Sequence, residues 1–184
     1  MMDNISHEII ERCKCGDKTA FRTVVHTYQR MIFALSFRLL CDEDDAKDIV
    51  QETFIRVWLN IAKYDSKQSF RTWIYTIATR LCLDRLRQSS HIQSLPEEEE
   101  CFVSYLSEEQ PGRQLENKEL IAIIRALTNQ LSYKQRLVFT LIHLENMTPT
   151  EAAQISGLSP EQIKSNLYVA RKIIREKLNK LGYE

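Results

Sequence analysis

Proline is missing from the first 95 residues, and glycine occurs there once, as Gly16. A stretch without helix breakers or hairpin residues excludes a strand-and-turn architecture and admits long helices almost end to end. No run approaches the ~20 apolar residues that span a bilayer, and no signal-peptide core opens the chain, so a cytoplasmic protein is expected. The five cysteines, Cys13, Cys15, Cys41, Cys82 and Cys101, are odd in number and form no CxxC pair. They read as reduced thiols. Cys13 and Cys15 with His7 or His26 fall short of the closed ligand set of a structural zinc site. The histidines, His7, His26, His91 and His143, are scattered, and neither a phosphate-cradling glycine loop nor HExxH is present. No enzyme chemistry, metal or cofactor is expected.

What is present is helical patterning and segregated charge. The 184 residues are 43% apolar, enough for one or two small packed domains. The net charge of zero averages unlike segments: residues 1–87 hold 14 basic and 12 acidic side chains, residues 88–119 hold 2 and 8, and residues 120–184 hold 9 and 5. A positive carboxyl-terminal segment beside a negative middle one suits nucleic-acid contact at one end.

Ile5, Ile9 and Cys13 mark a short first helix ended by Gly16, and Asp17 can cap a second with a stripe of Phe21, Val24, Val25, Tyr28, Met31 or Ile32, Leu35 and Leu39. The acids Asp42, Glu43, Asp44 and Asp45 sit where a third helix begins, favourably placed against its positive dipole end. That helix has a core stripe of Ala46, Ile49, Val50, Phe54, Val57, Trp58 and Ile61. Opposite it, Asp48, Gln51, Glu52, Ile55 and Leu59 form a second stripe of acid mixed with aliphatic groups. A solvated face seldom carries Ile and Leu, so this one reads as a docking surface for a basic partner. After a polar loop from Tyr64 to Ser69, a fourth helix is expected to bury Phe70, Trp73, Ile74, Ile77, Ala78 and Leu81 and to turn Thr72, Tyr75, Thr76, Thr79, Arg80 and Arg87 outward. Hydroxyls, an aromatic and basic groups on one face suit a nucleic-acid backbone with unpaired bases.

Residues 88–115 hold two of the four prolines and the acid run Glu97 to Glu100, and form the one plausible linker. Beyond it, Leu120, Ile124, Leu127 and Leu131 mark a helix. Ser132 with Gln135 then forms a capping box that opens another, with Leu137, Val138, Leu141 and Leu144 inside. Two further helix starts come in close succession: Thr148-Pro149 with Glu151, and Ser159-Pro160 with Gln162, separated by a turn at Gly157. The last helix stacks Ile163, Leu167, Ala170, Ile174 and Leu178 on one stripe. Lys164, Ser165, Tyr168, Arg171, Lys172 and Arg175 are left outside it. This is a helix-turn-helix with a basic outer face, the form that enters a major groove.

The run of residues 45–58, the helix that opens Phe70-Arg-Thr-Trp73 and closes Asp84-Arg-Leu-Arg87, and the terminal helix-turn-helix together resemble bacterial RNA polymerase sigma factors of the extracytoplasmic-function group. The resemblance covers nearly the whole chain. It implies an all-α fold of two helical modules, residues 1–87 and 116–184, joined by a flexible acidic linker at 88–115. It further implies docking on the clamp helices of the polymerase β′ subunit through Asp48, Gln51, Glu52 and Ile55. Recognition and melting of the −10 promoter element would fall to Tyr64, Thr72, Tyr75, Thr76, Thr79, Arg80 and Arg87. Reading of the −35 element would fall to Glu161, Lys164, Ser165, Tyr168, Arg171 and Lys172. The implied partners are core RNA polymerase, including its β flap, promoter DNA and an anti-sigma factor. One departure stands out: family members commonly carry Asn where this chain has Arg80, which puts the preferred −10 base in question.

Two other readings compete, a stand-alone helix-turn-helix regulator and a helical protein-interaction module without DNA function. The linker's 28 residues span roughly 30 Å when relaxed and about 90 Å when drawn out, against ~70 Å between promoter elements two turns apart. Such a tether reaches both elements but cannot set their spacing.

Overall fold

The computed structural model describes residues 5–92 and 130–180, and every regular element among them is helical. The described residues fall into an amino-terminal and a carboxyl-terminal unit. The expected helix of Leu120, Ile124 and Leu127 and the acid run Glu97 to Glu100 lie outside the described residues.

In the amino-terminal unit, α1 (His7–Lys14) leads through Gly16, at φ 83°, into α2 (Lys18–Leu40). Asp17 caps α2 by accepting the N–H groups of Thr19 and Ala20 at 2.8 and 3.1 Å, and its other oxygen holds Arg12 at 2.7 Å. These bonds hold its carboxyl below the usual range, the Ala20 N–H contributing most. No glycine ends α2; Cys41 itself takes the left-handed conformation at φ 58° and donates its N–H to Phe37 O. Asp42 then caps α3 (Glu43–Asn60) by accepting the Asp45 N–H at 2.7 Å. A single 3-10 turn (Ile61–Lys63) and the polar loop precede α4 (Phe70–Ile92). This helix continues past Arg87 into the stretch expected to be linker.

Helices α2, α3 and α4 pack against one another around Val24, Tyr28, Ile32, Leu35, Ala46, Val57, Ile74 and Ala78, all 1% exposed or less. Each large apolar side chain buried this way contributes roughly 1.5 to 3 kcal/mol. Edge contacts of Phe21 with Phe54 and Trp58, at 6.4 and 4.8 Å between centroids, join α2 to α3. A second aromatic group, Tyr28, Tyr64, Phe70 and Trp73, joins α2 and the polar loop to the start of α4. Burial pushes the Cys82 thiol up to about 12, so it stays protonated inside the core.

In the carboxyl-terminal unit, α5 (Tyr133–Phe139) opens on the full Ser132–Gln135 capping box and runs into a π turn (Thr140–Leu144). Leu131, Ala170 and Ile174 form one buried cluster in this unit, with Phe139, Ile173 and Leu178 packed against them. Helical spacing puts Leu144 inside with Leu141, yet it is 39% exposed. The π turn explains this. An i+5 bond from Glu145 N–H to Thr140 O adds a residue to the turn and rotates the chain beyond it, and Met147, 3% exposed, is buried instead. Helices α6 (Pro149–Ser156) and α7 (Pro160–Lys180) complete the described residues.

Candidate docking and nucleic-acid interfaces

The outer face of α3 has the composition its spacing suggested. Ile55 and Leu59 are 54% and 69% exposed, with Asp48 and Gln51 exposed and Glu52 half-buried beside them. An open groove of about 690 Å³ runs between this face and the end of α4, lined by Asp48, Glu52 and Ile55 on one side and Leu81, Asp84 and Arg85 on the other. The wall from α4 was not legible in the sequence, because it depends on pairing between helices 37 residues apart. Arg85 forms an ion pair with Asp45 at 3.3 Å and donates to Asp48 at 3.2 Å, and Arg56 donates to Glu52 at 2.7 Å. Partial burial raises the Asp45 carboxyl, and Arg85 opposes that rise.

On α4 the outward set needs correcting. Thr72, Tyr75 and Thr79 are 2%, 0% and 4% exposed, and Tyr64 in the loop is 6% exposed. None of these four presents a surface. Because α4 packs on both α2 and α3, it buries two adjacent stripes: Phe70, Ile74, Ala78 and Leu81, and beside them Thr72, Tyr75, Thr79 and Cys82. The arc left to solvent carries Trp73, Thr76 and Ile77, each partly buried, and the exposed Arg80, Asp84 and Arg87. Trp73 and Ile77, expected inward, therefore stand at the margin. Tyr64 serves the core instead, with its ring against Phe70 and Trp73 and its hydroxyl donating to Gln68 O.

The helix-turn-helix forms as its local chemistry dictates. Thr148 and Glu151 exchange hydrogen bonds at the start of α6, as Ser159 and Gln162 do at the start of α7. Gly157 takes φ 69°, a conformation that disfavours any side chain. Ile163, Ala170 and Ile174 are buried on α7, while Glu161, Lys164, Ser165, Tyr168, Arg171, Lys172 and Arg175 are exposed, Tyr168 by 71%. Two of these outer groups have intramolecular duties. Glu161 accepts the Ser159 hydroxyl at 2.8 Å, and its carboxyl is lowered first by its own N–H and then by Ser159. Arg171 donates its Nε–H to His143 Nε2 at 2.8 Å, which requires that nitrogen unprotonated. Burial, and then the Arg171 charge, lower the His143 pKa and favour that neutral form. Ser159→Ala removes the cap from α7. We expect it to cost the carboxyl-terminal unit about 1 kcal/mol, read as an earlier thermal unfolding transition with the native helicity retained below it.

Residues 24–92 match the family Sigma-70 region 2, and residues 121–174 match Sigma-70, region 4. The chain is 30% identical to the ECF RNA polymerase sigma factor SigW of Bacillus subtilis, an alignment covering 98% of this chain and 100% of SigW. The RNA polymerase sigma-H factor of Pseudomonas aeruginosa is 27% identical over 95% of this chain and 94% of its own. Among solved structures, CnrH in complex with the cytosolic domain of CnrY gives a TM-score of 0.71 at 20% identity, over 96% of this chain and 98% of that one. RpoE of Bartonella quintana, solved with the anti-sigma factor NepR, gives 0.70 at 22% identity, over 86% and 96%. At such identities the two structures speak for the all-helical fold. With both sigma regions in order along one chain, and kinship to SigW over its full length, this protein belongs to the extracytoplasmic-function group of RNA polymerase sigma factors.

Proposed function

We propose that three surfaces divide the work of initiation. The outer face of α3, with Asp48, Gln51, Glu52 and Ile55, docks on the β′ clamp helices of core polymerase. The outer arc of α4, with Thr76, Arg80 and Arg87 and with Trp73 at its margin, meets the −10 element. The outer arc of α7 lies in the major groove of the −35 element, while the carboxyl-terminal unit rests on the β flap. The chain does this in the cytoplasm, without covalent chemistry of its own.

The observation that carries this reading is the exposed acid and aliphatic face on α3. A self-sufficient DNA binder has no use for Ile55 and Leu59 held in water, whereas a subunit that is buried against a larger enzyme does. Strand opening then results from differential affinity, since each unpaired base captured by stacking contributes ~1 to 3 kcal/mol in favour of the melted state. Arg80, exposed on α4, provides a charge for a phosphate where an amide would read a base edge. An anti-sigma factor, the kind of partner found with RpoE of Bartonella quintana, would silence the chain by covering the same surfaces.

Run-off transcription with core polymerase on a genomic promoter library is the direct test. Promoter-specific transcripts are expected only when this chain and core enzyme are both present. In gel shifts, tight binding to duplex promoter is expected only with core polymerase. Equal binding by the chain alone would favour a stand-alone regulator, and no DNA binding in either case would favour a protein-interaction module.

A further inference from the structure

Both acids of the α3 docking face already hold an arginine of the same chain. Glu52 is paired with Arg56 one turn away on α3, and Asp48 is paired with Arg85, which reaches across from α4. The lining of the groove is thereby close to charge-balanced, with Asp48, Glu52 and Asp84 set against Arg56, Arg85 and Arg87. A basic partner approaching it does not meet bare carboxylates.

We propose that Arg85 is an exchangeable counter-ion: it occupies the Asp48 carboxylate in the free chain, and a basic side chain of core polymerase displaces it on docking. This rests on the assignment of the α3 face as the polymerase contact. The geometry makes the exchange cheap. Arg85 spans two carboxylates, with its Nε beside Asp45 and an Nη on Asp48, so each acid meets a separate nitrogen of the guanidinium. The side chain of Asp48 is 64% exposed and that of Asp45 is 30% exposed, so Asp48 is the more open of the two to an incoming cation. Exposed pairs are weak, and losing Asp48 still leaves Arg85 beside Asp45. Arg85 is therefore a positioning residue that acts through Asp48. It holds that carboxylate at the mouth of the groove and lowers the attraction for any cation that cannot compete for it.

The full-length chain and core polymerase supply the test, with affinity measured across a range of salt. Asp48→Asn alone is expected to weaken binding; if it does not, the docking assignment itself fails, and the exchange fails with it. Arg85→Gln is expected to tighten binding about 3-fold or more at low salt, through faster association, and to steepen the salt dependence. In an Asp48→Asn background the same replacement is expected to change affinity by less than about 2-fold, the coupling expected of groups that share one partner. A merely structural role would instead lower the melting temperature and weaken binding in both backgrounds. Arg85→Met covers the case in which Gln unsettles the fold: methionine keeps the apolar length of the side chain and removes its charge, so Asp48 is again freed and binding again tightens. Weaker binding by either variant at unchanged helicity, or equal effects in the two backgrounds, overturns the proposal.

Discussion

Replacing Asp48 and Glu52 together with lysine is expected to abolish capture by core RNA polymerase while leaving helical content unchanged. Both carboxylates lie on the outer face of α3, opposite the buried Ala46, Thr53 and Val57, and neither helps to cap the helix. The internal cost is the loss of two exposed ion pairs, with Arg85 and Arg56, at about 0 to 1 kcal/mol each, and a like-charge repulsion of similar size in place of each. The cost at the interface is far larger. Two attractive contacts become two like-charge contacts against a basic partner, and each such juxtaposition is unfavourable by several kcal/mol when water is excluded. A loss of at least about 1,000-fold in affinity is therefore expected, since each tenfold step is 1.4 kcal/mol. Pull-down of tagged core enzyme checks the outcome, with circular dichroism as the control for folding. Association that survives the double reversal would move the docking face elsewhere on the chain. Ile55→Asp makes the complementary change, and it should weaken capture without altering the charge of either pair.

The parts of this molecule that were legible in its sequence are the local ones. Asp17, Ser132, Thr148 and Ser159 announce helix starts because a cap bonds to N–H groups two or three residues away, and all four make those bonds; Asp42, read as part of an acidic cluster at the start of α3, is its cap in the structure. Gly157 and Gly16 mark turns for the same reason, since positive φ is a property of one residue. The buried stripe of α7 was legible because this helix buries one face and leaves the opposite arc in water. On α4 the same rule fails. Two neighbouring helices cover it, and periodicity alone does not tell a second buried stripe of Thr72, Tyr75 and Thr79 from a polar outer face. Hydroxyls look like surface groups in a sequence, yet Thr72 and Thr79 are buried on α4 at 2% and 4% exposure. The reach of Arg85 to Asp48 and the π turn that exposes Leu144 belong to tertiary packing, and no local signal marks either of them.

Lys164→Ala combined with Arg171→Ala is expected to remove transcription that depends on a −35 element and to spare capture of core polymerase. The two residues are seven apart on α7, two turns along one edge of the exposed arc, with Tyr168 between them and Arg175 beyond. Lys164 sits near the start of the helix, the part that reaches base edges in a helix-turn-helix, and Arg171 is placed for the phosphates further along. Arg171 is already oriented in the free chain, because one of its five N–H donors is held by His143. Ordering the guanidinium in advance spares part of the side-chain entropy that binding would otherwise cost. Two charged contacts at roughly 1 to 3 kcal/mol each amount to about 2 to 6 kcal/mol, a loss of at least ~30-fold in promoter occupancy. The slope of affinity against salt should also fall by about 0.9 for each phosphate contact removed. The measurement is run-off transcription on paired templates, with and without an intact −35 element, at several salt concentrations. Equal loss on both templates would mean that the substitutions act on polymerase contact or on folding. No loss on either would mean that α7 does not enter the groove, and the basic arc would then need another partner. His143→Ala refines the result: it leaves both charges in place and frees Arg171, so a smaller fall confined to the −35 template is expected.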